Sequence, residues 1–462
     1  MTDRKTHLLG SRKFYARALA IALPIMLQQL IQSLVSLIDN FMVAGLGDVC
    51  MSGVNVAGQV LFVFIIFLNT ICMSGGIYLT QYYGAADREG MQQAFRFKII
   101  IGLLAFIPYL LVCIVFPRQV LSLMLIGNTD APAILDQGVA YIRVMVFAGL
   151  QMTISMCIAT SLRDMGQVRT PLVISVISTL TNTLFNWLLI YGNLGMPRLE
   201  VRGAAFATVI ARSLELILYI IVCMRIRPAF IVRPSRLFDL DLPLFFTILR
   251  KGGMVLISEM AWVFSETITT ALYNGRGGAD VVSGMAASFA IANLFFVAFS
   301  GITSATGVIL GSTLGAGNLE EARKQKNWLL TGSFIMGIFV FFFALGTTLL
   351  IPVVFGRLSD EALLLCRRMV YLIAALMPPW VYMMCQLAVS RAGGDTAMGA
   401  YADATITVFV MIPIVFLLAI YTEIGPVGLY FCVKIIDILK IGVFHLWLRR
   451  ERWLRNLTIE SQ

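Results

Sequence analysis

Long apolar segments, separated by short polar ones, run along the whole 462-residue chain. A helix needs about 20 predominantly apolar residues to cross the hydrocarbon core of a bilayer. This length predicts twelve membrane-spanning helices, at residues 15–44, 53–80, 96–117, 133–160, 170–192, 203–226, 244–273, 281–312, 327–352, 362–389, 398–421 and 426–448. The pattern therefore predicts an all-α polytopic membrane protein.

Short glycine-containing motifs recur in the same order in the two halves of the chain. The recurring positions are Ser52-Gly53 with Ser283-Gly284, Gly84-Ala85 with Gly315-Ala316, Arg163 and Gly166 with Arg391 and Gly394, and Gly203 with Gly428. They lie at offsets of 231, 228 and 225 along the sequence, so the order is kept and the spacing hardly changes. Such a repeat is typical of transporters and predicts two six-helix bundles related by an axis along the membrane normal. We place the N-terminal bundle at residues 1–226, a cytoplasmic linker at 227–243 and the C-terminal bundle at 244–462.

Composition and charge agree with membrane insertion. Apolar residues make up 59% of the chain and charged residues 13%, which excludes an ordinary soluble globule. The net charge of +10 could suggest nucleic acid binding, but 24 of the 35 Lys and Arg residues lie at the termini and in alternate loops. Positively charged loops stay on the cytoplasmic side of a membrane. We therefore expect a plasma (inner) membrane protein with both termini in the cytoplasm and no nucleic acid partner.

The first span carries one carboxylate, Asp39, on an otherwise apolar helix. Helical spacing places Gln28, Gln32, Ser36 and Asp39 on one face. An acid inside a membrane costs several kcal/mol unless it is protonated, ion-bound or hydrated, so it is a functional candidate. The alternative is that Asp39 lies near enough to the helix end to be a hydrated cap. Pro24, in the middle of the span, is expected to kink the helix.

Polar side chains also recur at helical spacing on three other spans. They are Asn182 and Asn186 on span five, Asn55 and Gln59 on span two, and Glu259, Trp262, Glu266 and Tyr273 on span seven. The two asparagines are four residues apart, so their amide oxygens could coordinate one cation. Interhelical hydrogen bonding explains each of them equally well. The two acids on one face of span seven are harder to explain by packing.

The remaining charges and the cysteines have simpler interpretations. Arg212 with Glu215, and Lys434 with Asp437, are spaced to neutralise each other on one helix, while the sequence leaves Asp403 open between a solvated and a lining position. The eight cysteines form no CxxC motif and the chain has two histidines, so we expect no metal cluster and no histidine catalysis. The sequence shows no catalytic constellation, so we do not expect an enzyme, and without a GxxxxGK[ST] loop ATP is not the expected energy source.

The chain resembles multidrug and toxic compound extrusion (MATE) transporters over nearly its whole length. The resemblance rests on the order, spacing and duplication of ALPIMLQQLIQSLVSLIDNFMVAGLG, QYYGAAD, LRDMGQVRTP, GAAFAT and LGAGN. It implies two six-helix bundles that form a V, and antiport of substrates against H⁺ or Na⁺.

The resemblance also implies roles for residues of the first bundle. Pro24 resembles the proline that bends the first helix in this family, and Asp39 resembles its cation-coupling acid. Asn182 resembles the family's asparagine on span five, and Thr208 a hydroxyl that completes the site. Asn186 departs from members that have an Asp at that place, so this site would hold one acid fewer.

In the second bundle, Glu259 resembles the glutamate near the start of span seven in many bacterial members. Span ten reads LMPPWVYMM and lacks the Asp of some branches, so coupling there would depend on Glu259 and on Glu266. The candidates for lining the substrate cavity are Gln32, Ser36, Asn55, Gln59, Trp262 and Tyr273.

These observations lead to the hypothesis of a secondary active antiporter. It would export amphipathic, cationic or zwitterionic organic compounds such as drugs, dyes and metabolites, as a monomer and with no cofactor besides H⁺ or Na⁺ as the coupling ion. The alternative is a lipid or lipid-linked oligosaccharide flippase of the same superfamily. Those proteins tend to have a cationic cavity, whereas the deep lone charges here are acids. A receptor is disfavoured by the half-chain repeat.

Overall fold

The protein is described by a computed structural model that covers residues 9–126, 130–356 and 358–460. The helices of the first half are α1 (Arg12–Ala44), α2 (Asp48–Gly84), α3 (Arg88–Ile114), α4 (Pro117–Leu123), α5 (Ala131–Asp164), α6 (Arg169–Tyr191) and α7 (Glu200–Ile226). Those of the second half are α8 (Leu242–Asn274), α9 (Ala279–Gly315), α10 (Leu319–Thr347), α11 (Ile351–Phe355), α12 (Asp360–Ala392), α13 (Ala404–Ile406), α14 (Ile412–Tyr421), α15 (Pro426–Lys434), α16 (Ile436–Arg449) and α17 (Leu457–Glu460). The all-α prediction is confirmed, since the described residues contain no strand.

The predicted spans correspond closely to the helices. Within the described ranges, eleven helical segments are long and apolar enough to cross a membrane. The twelfth predicted span, residues 426–448, is divided at Ile435 into the shorter helices α15 and α16. Its apolar run is interrupted by buried Lys434, Asp437 and Lys440. Span eleven is also irregular, because π-helical turns at Met398–Asp403 and Thr407–Met411 flank α13. Such turns are frequent at functional sites.

The internal repeat is visible where α2 and α9 end. A Cβ atom at Gly84 would overlap the backbone of Ser312, and one at Gly315 would overlap the backbone of Gln81. The two glycines are related by the offset of 231, and so are the two residues that they contact, so equivalent helices cross at equivalent positions. The next helices begin alike, because the Asp87 side chain accepts a hydrogen bond from Gly90 N at 3.1 Å and Asn318 caps α10 in the same way.

Packing divides the chain into two compact units. One consists of Leu27–Leu79 and Asp87–Ile248, and the other of Met1–Met26, Thr80–Ala86 and Leu249–Gln462. The first part of α1 and the last turn of α2 therefore belong to the unit that contains the second half of the chain. The predicted boundaries at residues 226 and 244 separate the two repeats of the sequence, not these packing units, and they stay a prediction. The outermost residues of those predicted domains, 1–8 and 461–462, lie outside the described residues.

Each unit has its own apolar interior. In the unit with Leu27–Leu79, the rings of Phe64 and Tyr109 stack with centroids 4.5 Å apart, beside buried Leu68 and Ile142. In the other unit α12 packs against both α9 and α10. These interiors hold the polar residues of α1, α6 and α7 in one unit, and those of α8 and α12–α16 in the other.

Candidate cation site around Asp39

Asp39 lies on α1 against two asparagines of α6. Asn186 Nδ2 donates a hydrogen bond to Asp39 Oδ1 at 2.7 Å. The Asn182 amide also faces the carboxylate, 2.8 Å from Oδ2 and 3.2 Å from Oδ1, and these contacts require its nitrogen to point towards Asp39. Both asparagines are buried, at 8% and 2% exposure, while Asp39 is half-buried. The carboxylate is therefore held by neutral amide donors, which stabilise its ionised form.

Thr208 on α7 completes this cluster. Its hydroxyl lies 3.3 Å from the other end of the Asn182 amide and donates to Ala204 O at 3.1 Å. Asn186 Oδ1 is buried and has no hydrogen-bond partner among the described residues. The site thus combines one carboxylate, two amide groups and one hydroxyl, and one of its amide oxygens is available as an acceptor or ligand. The sequence predicted these four residues as one site, and the structure brings them together.

A charge pair on α7 accompanies the cluster. Arg212 Nη1 lies 2.5 Å from Glu215 Oε2, as the spacing predicted. Asp39 forms no ion pair within the described part of the chain, with Arg212 or with any other cation, so its carboxylate has no cationic partner in contact.

The acids of span seven are arranged differently. Glu259 Oε1 pairs with Arg391 Nη2 of α12 at 2.8 Å, and Glu266 Oε2 pairs with Lys434 Nζ of α15 at 2.9 Å. The prediction that Lys434 pairs with Asp437 is wrong, because Asp437 is bound by Lys440 and by Trp380 Nε1, which donates at 3.0 Å.

A buried network continues from these pairs, and the sequence did not reveal it. Lys440 Nζ lies 2.9 Å from Asp403 and 3.4 Å from Asp437, and it donates to Thr407 Oγ1 at 2.7 Å. Ser258 Oγ donates to Asp403 Oδ2 at 3.0 Å. Asp403 is therefore paired and not solvated. The only available signals were two spacings within helices, i, i+4 for Asp403 and Thr407 and i, i+3 for Asp437 and Lys440, and neither links Asp403 to Lys440 of α16. For the same reason nothing linked Glu259 to Arg391.

The remaining predicted residues occupy varied positions. Gln32 Nε2 donates to Ser175 Oγ at 3.2 Å, so it joins α1 to α6. Ser36, Asn55, Gln59 and Trp262 are exposed on their helices. Tyr273 is fully buried, with its ring 5.4 Å from that of Tyr430, and reaches no open surface. Pro24 lies inside α1, two residues before the division between the units at Met26.

Known proteins are similar to both halves of this chain. The MatE family model matches residues 24–188 and 255–417. A probable multidrug resistance protein NorM of Thermotoga maritima is 24% identical over 335 residues, which cover 70% of this chain and 69% of that protein. A probable multidrug resistance protein YoeA of Bacillus subtilis is 23% identical over 432 residues, 88% of this chain and 87% of that protein.

Solved structures share the fold. The outward-facing conformation of a multidrug resistance MATE family transporter of the MOP superfamily superposes with a TM-score of 0.83 at 18% identity, over 98% of this chain and 98% of that one. Because the two matched segments are the ones that the internal repeat relates, and together they cover more than half of the chain, the protein belongs to the MATE family and is a multi-pass membrane transporter, not an enzyme.

Proposed function

We propose that this chain is a secondary active antiporter that exports amphipathic, cationic organic compounds in exchange for H⁺ or Na⁺. The observation that carries the proposal is the Asp39 carboxylate, held by Asn182 and Asn186 and without a cation in contact among the described residues. An intramembrane acid in this setting is suited to take up and release one positive charge. The multidrug resistance relatives support an organic substrate.

The asparagines can serve both charge states of Asp39. A side-chain amide presents two N–H donors at one end and an acceptor oxygen at the other. With the nitrogens towards Asp39, the amides stabilise the carboxylate; after rotation, their oxygens can accept from a protonated Asp39 or bind a hard cation. Asn186 Oδ1 has no partner that such a rotation would break. Thr208 adds a further oxygen to this set.

Uptake of the cation would change the affinity for substrate. A cationic compound is attracted by ionised Asp39, and neutralisation of Asp39 removes this attraction, so one site can bind the two ligands alternately. We propose that α1 bends at Pro24 during this exchange. Gln32 and Ser36 are the candidates for substrate contact on the face of Asp39, while Asn55, Gln59 and Trp262 are exposed candidates on other helices.

We assign coupling to Asp39 and a structural role to the acids of span seven. Glu259 and Glu266 each already have a cationic partner, at 2.8 and 2.9 Å, and taking up a proton or Na⁺ there would require that ion pair to break. The buried position of Tyr273 likewise suits a packing role. We further propose that the chain acts as a monomer in the plasma (inner) membrane with both termini in the cytoplasm.

The test is efflux of a cationic dye from proteoliposomes under a pH gradient, a Na⁺ gradient or no gradient. One gradient should increase the rate of efflux by wild type. In Asp39→Asn this gradient-driven increase should be at least tenfold smaller. Asp48→Asn, the same change at an exposed position of α2, is the matched control and should behave as wild type. Gradient-driven efflux retained by Asp39→Asn would refute the assignment. If no gradient matters, phospholipid headgroup transport becomes the function to test.

A further inference from the structure

The segment that follows α16, which ends at Arg449, is packed against the rest of the fold. The following segment, Arg450–Glu460, which we call the C-terminal strap, folds back on the unit that contains the second half. Its large apolar side chains Trp453 and Leu457 are 1% and 4% exposed. The backbone of Trp453 lies so close to Gly393 that a Cβ atom there would overlap it.

Polar contacts fix the position of the strap. Fully buried Gln81 of α2 accepts a hydrogen bond from Leu457 N at 2.8 Å and donates to Ala392 O at 2.8 Å. Asn456 Nδ2 donates to Gly315 O at 3.2 Å. On the solvent-exposed side of the strap, Arg323 donates to both carboxylate oxygens of Glu451, at 2.8 and 2.7 Å. The strap is therefore an ordered part of the fold, although it is short.

The docked strap leaves a group of arginines exposed beside the last span. Arg449, Arg450, Arg452 and Arg455 fall within seven positions and all are exposed. The guanidinium groups of Arg450 and Arg452 lie 5.9 and 5.8 Å from the ring centre of Trp447, and neither forms an ion pair within residues 9–126, 130–356 and 358–460. Trp447 itself is oriented, since its Nε1 donates to Asp395 Oδ2 at 2.9 Å.

We propose that Trp447, Arg450 and Arg452 form a binding site for the phosphate of an anionic phospholipid headgroup. Trp447 lies in the last turn of the last span, where tryptophans occupy the boundary between hydrocarbon and headgroups. Arginine clusters directly beyond a membrane helix attract anionic lipids, and guanidinium groups bind phosphate oxygens in pairs. The one acid within this run, Glu451, is bound by Arg323 and so does not compete. The contacts of the strap hold Arg450 and Arg452 beside Trp447 before any lipid binds.

The experiment measures binding of short-chain lipids to the purified full-length protein in neutral detergent. Dioctanoyl phosphatidylglycerol is the probe, with dioctanoyl phosphatidylcholine as the zwitterionic comparison and inorganic phosphate as the soluble anion. We expect wild type to prefer phosphatidylglycerol, and Arg450→Gln/Arg452→Gln to weaken its Kd about tenfold. The matched control Arg367→Gln/Arg368→Gln removes two exposed arginines elsewhere and should change the Kd less than twofold.

A second variant tests whether the site is preformed. Trp453→Ala keeps every arginine and removes the side chain that anchors the strap, so it should also weaken phosphatidylglycerol binding severalfold. The proposal would be overturned if the two double variants lost the same affinity for phosphatidylglycerol, or if wild type bound the two lipids with equal Kd values. An unchanged Kd for phosphatidylglycerol in Trp453→Ala would also overturn it. Inorganic phosphate that binds as tightly as the lipid would assign the site to soluble anions instead. None of these measurements depends on transport or on Asp39.

Discussion

Asp39 in the first half and the membrane acids of the second half of this transporter are held in opposite ways. In the first half Asp39 is bound by the neutral amides of Asn182 and Asn186. In the second half the membrane acids are in contact with cations: Glu259 with Arg391, Glu266 with Lys434, and Asp403 and Asp437 with Lys440. An acid held by neutral donors can change its charge without breaking an ion pair, whereas an acid paired with a buried cation cannot. Under the proposed function, this difference is the reason to assign ion exchange to Asp39.

The internal repeat relates one charge pair of the first half to one of the second. At the offset of 225 that relates Gly203 to Gly428, Arg212 and Glu215 of α7 correspond to Asp437 and Lys440 of α16, so the signs of the charges are exchanged. Each pair spans three positions of one helix and each is in contact, at 2.5 and 3.4 Å. The two halves therefore share a charge pair at equivalent helix positions, but the surroundings differ. A third charge, Asp403, contacts the second pair, and among the described residues none contacts the first.

The largest effect is expected from Lys440→Met. It would leave Asp403 and Asp437 buried without their cation, and breaking a buried ion pair by removing one partner costs about 3–5 kcal/mol. We expect a large fall in Tm, measured by thermal unfolding in detergent. Lys440→Met/Asp403→Asn, which removes one charge of each sign, should recover part of the loss. Equal Tm values for Lys440→Met and Asp39→Asn would contradict the distinction between the two halves.

Glu259→Gln should lower stability and leave coupling intact. This change removes the negative charge that contacts the largely buried Arg391, but Glu259 is 30% exposed and water screens the pair, so the cost should be about 1–2 kcal/mol. Gradient-driven dye efflux, normalised to the amount of folded protein, should stay within twofold of wild type. A loss of coupling comparable to that of Asp39→Asn would instead make Glu259 a coupling acid.

Asn186→Asp should increase the affinity of the first site for a cation. It places a second carboxylate next to Asp39, and two adjacent carboxylates do not both stay ionised without a proton or Na⁺ between them. We expect Na⁺ to drive efflux at about tenfold lower concentration, equivalent to about 1.4 kcal/mol. Asn193→Asp, the same change in the turn after α6, where the side-chain amide donates to Trp187 O, is the matched control. An unchanged ion dependence would show that Asn186 has only a packing role.

The smallest effect is expected from Thr208→Val. This change keeps the shape of the side chain and removes its hydroxyl, a loss of about 0.5–1 kcal/mol for one hydrogen-bonding group. The concentration of coupling cation that half-saturates efflux should rise two- to fivefold. Thr181→Val, at a half-exposed position of α6 whose hydroxyl bonds only within its helix, provides the comparison. A larger loss than that of Asp39→Asn would move the centre of the site from α1 to α7.

The amino-acid sequence was sufficient to predict the spans and the repeat, and it grouped the residues that meet around Asp39. Apolar runs long enough to cross a bilayer leave a chain little alternative to helices, because backbone groups in lipid must be satisfied within the helix. The motifs at offsets of 231, 228 and 225 predicted the duplication that the α2 and α9 crossing displays. Asp39, Asn182 and Thr208 could be grouped because they resemble one family pattern, and Asn186 joins them through its i, i+4 spacing from Asn182.

Which acids carry a cationic partner depends on how the helices pack, and the sequence alone does not show it. Glu259 and Arg391 are 132 positions apart, Glu266 and Lys434 are 168 apart, and no periodicity within a helix reports such a contact. Local spacing even indicated the wrong partner for Lys434, because an i, i+3 neighbour contributes little when a better-placed carboxylate lies on another helix. The charge state of a buried acid depends on every group packed around it, and that arrangement exists only once the helices have assembled.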